Sequence, residues 1–272
     1  MVREEPATVV GALPMYHSNP AAVERLWAGL AAHLTKGGVG GVPLLPAWPV
    51  DFHAHWLEPQ LLLSQACGFP LVIELGRKVR VVGTFHYNVP GCSGALQRSQ
   101  IVARADDPAR TLADFRGRRL AFNATVSNSG YNSLRALVAP LAQHGRFFGS
   151  SLQTGTHLDS IKAVRDGRAD IASIDCVSVA GFARYTPEVM QGVRVLMQSD
   201  TYPGLPLITA GDTDDAMLVT LRHALAQSVG DPDLAEALDA LFINGFEPLD
   251  FADYQPCQAM YDTAMALGCP TL

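Results

Sequence analysis

The sequence predicts an α/β protein of two lobes that face each other across a central cleft and are joined by two hinge crossings. Three observations carry this. Strand-like and helix-like segments alternate along most of the 272 residues, as in sheets flanked by helices. Two polar joints, Asp106-Asp107-Pro108 and the stretch Ser199 to Leu205 with Tyr202-Pro203-Gly204, bracket one complete round of that alternation. The tail beyond them holds too few strand-like segments for a lobe of its own, so it is expected to return to the first. On this basis lobe one comprises residues 1-104 and 203-272, and lobe two residues 105-202.

Residues 8 to 16 form a short apolar run ending in Pro14 and Tyr16, which reads as a strand, and Ser18-Asn19-Pro20 then opens a helix. Val23, Leu26, Trp27, Leu30 and Leu34 follow at three- and four-residue spacing, and the glycines from Gly37 to Gly41 stop that helix before a predicted strand at Val42 to Leu45. Leu57 to Ala66 reads as a helix, and Leu71 to Leu75, Val79 to Phe85 and Ser99 to Ala105 as strands. The second round comprises strands at Arg119 to Phe122, Ser151 to Gly155, Ile171 to Ile174 and Val193 to Gln198. Helices at Ser129 to Gln143, Leu158 to Asp166 and Val177 to Tyr185 separate them. A short strand near Leu207-Ile208-Thr209 and mostly helix from Asp214 complete the chain.

Hydrophobic residues make up 48% and charged residues 17% of the sequence, a balance that buries a core and excludes a disordered chain. The net charge is -6 and the basic residues are scattered, so no nucleic-acid partner is expected; a small anionic or zwitterionic ligand is compatible with a local site. No apolar stretch reaches the roughly 18 residues of a membrane-spanning helix, so no direct membrane insertion is expected. Met1 to Pro6 lack the apolar core and cleavage site of a leader. The location is therefore expected to be periplasmic if a leader has been removed and cytoplasmic if Met1 is the native start. The five cysteines form no C-x-x-C pair and read as buried thiols, with a Cys67 to Cys92 bridge as the rival in an oxidising compartment.

The chemistry concentrates at predicted strand ends. Asn123 to Tyr131 lies between a strand and a helix, and its Ser127, Asn128 and Ser129 suit either an anion-binding loop at a helix N-terminus or ordinary capping. Thr154-Gly155-Thr156-His157 ends a second strand at a second helix, and Asp175 ends a third; parallel strands would place all of them on one sheet edge. Across the cleft, Tyr16 and Trp56 are candidates for an aromatic wall, with core packing as the alternative, Ser64 and Gln65 are candidates for polar contacts, and Tyr87 could also face the cleft. His53 and His55 have a metal-ligand spacing, but no further His grouping follows downstream, so a loop is the expected reading and a metal-dependent hydrolase the minor alternative. No cofactor motif is present: Gly37 to Gly41 lack the Lys-Ser/Thr of a phosphate loop, and no Gly-x-Ser-x-Gly elbow occurs.

Taken together, Leu13-Pro14-Met15-Tyr16, Leu61 to Leu71, Ser127-Asn128-Ser129-Gly130-Tyr131, Thr156-His157 and Gly167 to Asp175 resemble the phosphate/phosphonate-binding family of ABC-transporter substrate-binding proteins, over residues 8 to about 210. The resemblance implies a type II periplasmic-binding-protein architecture and a monomeric, non-enzymatic binder that hands its ligand to a permease. It places the phosphonate on Ser127, Asn128, Ser129 and His157, the ligand amine on Asp175 and the first-lobe aromatic on Tyr16, with Gly130 and Tyr131 completing the loop. Asn128 stands where the family has a hydroxyl residue, which would change the donor geometry and leaves open a sensor or binder of a phosphorus-free solute.

Overall fold

The computed structural model describes residues 9–16 and 18–272. Its strands, in chain order, are β1 (Val10–Ala12), β2 (Leu61–Gln65), β3 (Val79–Tyr87), β4 (Leu96–Gln97), β5 (Ser99–Arg104), β6 (Arg119–Phe122), β7 (Ser150–Gln153), β8 (Ile171–Asp175), β9 (Val193–Gln198), β10 (Tyr202–Pro203), β11 (Leu207–Ala210) and β12 (Ile243–Glu247). They build two five-stranded sheets, ordered β1-β2-β11-β3-β12 and β7-β6-β8-β5-β9, while β4 and β10 pair as a short ribbon between them. The chain passes from the first sheet to the second between β3 and β5 and returns between β9 and β11.

The first helix, Pro20–Lys36, begins where Asn19 accepts the Ala22 amide at 3.2 Å and buries the predicted stripe of Val23, Leu26, Trp27, Leu30 and Leu34. Trp27 packs against β1, where a Cβ on Gly11 would collide with its indole, so only glycine allows this approach. Truncating an indole buried this completely costs about 3–5 kcal/mol. The start of the predicted first strand at Thr8, like the leader reading of Met1 to Pro6, lies outside the described residues.

Several expectations are corrected. Leu61–Gln65, read within a helix, is β2: all five residues are buried between β1 and β11, so the segment shows no alternation to distinguish strand from helix. Leu71–Leu75, read as a strand, continues a helix begun at Gly68, burying Leu71 and Leu75 one turn apart while Ile73 and Glu74 face out. Val42–Leu45 forms no strand, because Pro43 and Pro46 supply no amide and Leu44 and Leu45 are exposed. Ser99–Arg104, expected to end lobe one, pairs antiparallel with both β8 and β9 and is central in the second sheet. The edge strand β12, on which only Ile243 is buried, was not anticipated. The tail returns to the first sheet through β11 and β12, yet its last helix, Gln255–Ala266, and the residues after it also touch the helical segment that follows β6: the Asn132 side-chain amide donates to the Cys257 carbonyl and Arg135 to that of Pro270.

Candidate functional site

In the second sheet β6 runs parallel to both β7 and β8, so Phe122, Gln153 and Asp175 end on one edge. The loop after β6 turns into a helix that opens with a wide, π-type turn at Asn128–Asn132 and continues to Val138. Ser127 caps it by accepting the Gly130 amide at 3.0 Å. A side chain on Gly130 would strike the Asn123 carboxamide, which occupies that space. The carbonyl of Ser129 accepts from the hydroxyls of Ser99, Ser133 and Ser173 on three different elements, fixing the residue whose own hydroxyl faces His157. These anchoring serines are buried, and nothing local in the sequence marks them as a group.

After β7, Thr156 caps the helix His157–Arg165 by accepting the Asp159 amide at 3.0 Å. His157 Nε2 sits 3.1 Å from Ser129 Oγ, while Nδ1 is buried with no partner. Burial pulls the His157 pKa down to about 4, so the imidazole is neutral at physiological pH. After β8, Asp175 caps the helix Cys176–Tyr185 by accepting the Ser178 amide at 2.9 Å. Its other oxygen accepts from Tyr16 across the cleft at 3.0 Å and from Gln97 at 3.2 Å. Desolvation raises the pKa of this carboxyl and raises that of the Tyr16 hydroxyl well above its ordinary value, so Tyr16 is the proton donor of the pair.

These groups line a cavity of about 450 Å³ between the sheets. Of the predicted residues, Tyr16, Ser127, Ser129, His157 and Asp175 reach its wall. The others do not. Asn128 turns away: its amide donates to Cys67 Sγ and its side-chain oxygen accepts from Asn132, so the departure from the family pattern lies outside the cavity. Tyr131 packs on Phe122 in the lobe-two core and accepts the Leu272 amide, and the backbone of Gly130 is spent on the cap. Trp56 is buried and donates to the Gln65 carbonyl; Gln65 donates to the Tyr87 hydroxyl; Tyr87 meets Tyr16 edge to face at 5.2 Å. They form a layer behind Tyr16. Ser64 is consumed by His55 at 3.1 Å.

The wall also holds residues that the sequence reading passed over. Asn123, whose Oδ1 is buried without a partner, was visible only as part of its loop. Met15, Phe52, Leu158, Phe182 and Leu205 form the apolar part. Phe52 comes from a distant segment and stacks on Trp56 at 5.9 Å.

The metal and bridge alternatives are corrected as well. His53 and His55 lie on one short helix and diverge, with side chains 51% and 3% exposed, and the described residues hold no group of three candidate metal ligands. All five cysteines are free thiols; the neighbour of Cys92 is Cys176, with the sulfurs 3.4 Å apart, and not Cys67.

Further bonds join elements on the two sides of the cleft. Tyr185 donates to the Ala240 carbonyl and Arg184 to that of Asp239, both at 2.7 Å. A ligand-sized cavity between two α/β lobes, walled by hydroxyls, a neutral imidazole and apolar side chains, defines a two-lobed solute-binding protein. The sequence model of the ABC transporter, phosphonate, periplasmic substrate-binding protein family matches residues 86–254. The chain belongs to that family, whose members bind a small solute for a permease and its ATPase rather than catalyse a reaction.

Solved structures agree on the fold. A binding protein component of an ABC phosphonate transporter from Pseudomonas aeruginosa superposes with a TM-score of 0.75 at 15% identity, covering 96% of this chain and 87% of that one. PhnD1 from Prochlorococcus marinus, in complex with methylphosphonate, gives 0.74 at 14% identity over 94% and 97%. XAC2383 from Xanthomonas citri, bound to ATP, gives 0.71 at 17% identity over 96% and 98%. No curated protein matches the sequence.

Proposed function

We propose that the protein captures a phosphorus-containing anion or zwitterion between its lobes, holding the anion on Ser127, Ser129 and His157 and meeting the remainder with Asp175, Asn123 and Tyr16. The observation that carries this is the unpartnered His157 Nδ1. When Nε2 accepts from the Ser129 hydroxyl, Nδ1 bears the ring proton, and a buried donor without an acceptor costs about 1–3 kcal/mol. An anionic oxygen would remove that cost, and the first amides of the helix His157–Arg165 add donors of the same sign.

In this reading lobe one comprises the strands of the first sheet and lobe two those of the second, with the hinge at 88–98 and 199–206. The ligand adds contacts available only when the lobes are shut, so it favours the closed form that a permease recognises. The protein acts as a monomer in the periplasm and takes no nucleic acid.

Titration calorimetry with methylphosphonate tests the site. His157→Ala and Ser129→Ala should each weaken binding about tenfold or more, the scale of one hydrogen bond to a charged group, with an unchanged circular dichroism spectrum. Unaltered affinity in both variants would remove the loop and the histidine from the site.

A further inference from the structure

The cavity is too large and too apolar for a small phosphonate alone. About 450 Å³ falls within the range of sites that enclose drug-sized ligands. The polar groups gather at the ends of β6, β7 and β8, and Met15, Phe52, Leu158, Phe182 and Leu205 add an apolar lining. A methylphosphonate seated on Ser129 and His157 would leave most of that lining against water.

The charges point the same way. Among the described residues no Lys or Arg lines the cavity, His157 is neutral, and two carboxylates, Asp159 and Asp175, are present. Asp159 is partly occupied by the Thr156 hydroxyl at 2.8 Å and by Lys162 at 3.7 Å, but Asp175 is buried with only neutral donors around it. A second negative charge on the ligand would meet no compensating cation among the described residues of this wall. A single charge can be carried by hydroxyls and amides.

Resting on the proposed phosphorus ligand, we infer that the cavity is built for a monoanionic phosphonate or phosphate ester carrying an apolar group of about phenyl size, rather than for a small phosphonate dianion. Phe52 is the residue to perturb. It is partly exposed and stacks on Trp56 from outside the core, so its removal leaves the fold intact.

The experiment compares methylphosphonate with the monophenyl ester of methylphosphonic acid by titration calorimetry at pH 8. Burying a phenyl group should make the ester bind at least tenfold tighter. Phe52→Ala should shrink that advantage severalfold, read as the ratio of the two affinities within each protein. Equal or weaker binding of the ester, or an advantage untouched in Phe52→Ala, overturns this inference and leaves the anion site standing. Failure of both compounds to bind the wild-type protein overturns the anion site and the inference with it.

Discussion

Burial of His157 has a consequence for stability that can be measured without any ligand. The folded protein holds this imidazole at a pKa of about 4, against an ordinary value of 6.5. Below pH 6.5 the unfolded chain takes up a proton that the folded one declines, so folding stability conferred above that pH is lost as pH falls toward 4. The whole shift corresponds to about 3 kcal/mol, and at pH 5 about 2 kcal/mol of it has gone. In His157→Gln this component vanishes, although the amide can still bond Ser129. Urea unfolding of both proteins at pH 7.5 and pH 5.0 therefore measures it as the change in their stability difference, in which the other titrating groups cancel. The difference should move by about 2 kcal/mol, with the wild type losing more on acidification. A difference that stays flat between the two pH values would refute the claim that the closed cleft desolvates this ring.

Two other perturbations address the cleft. Tyr16→Phe deletes the hydroxyl that joins the lobes through Asp175. It should cost about 1–3 kcal/mol and lower the Tm by a few degrees, with a larger radius of gyration in X-ray scattering; unchanged scattering and Tm would show that this bond does not hold the lobes. Cys92 and Cys176, with sulfurs 3.4 Å apart, should form a disulfide when the protein is treated with a small-molecule disulfide, which is reduced to two thiols in the exchange. Peptide mass mapping should find the 92–176 crosslink in wild type and none in Cys92→Ser; a crosslink involving Cys67 instead would contradict the packing.

Local sequence was enough to locate the strand ends of the second lobe. Capping residues stand out at Ser127, Thr156 and Asp175, and the periodic helices after them leave little choice of direction. Parallel β6, β7 and β8 then force these caps onto one edge whatever the details of packing. The first lobe was harder to read: β2 is buried on both faces and carries no period.

The membership of the wall belongs to tertiary structure. Adjacent residues part company there: Ser129 faces His157, while Asn128 bonds Asn132, because successive residues of a helical turn point in different directions. Phe52 enters from a separate segment, Ser99 and Ser173 fix the loop from two strands, and Cys92 meets Cys176 rather than Cys67. A residue's helix or strand, and its cap, follow from neighbours within about one turn, which a sequence displays directly. Contacts between residues a hundred positions apart depend on how two sheets are set against each other, and that is decided only when the whole chain packs.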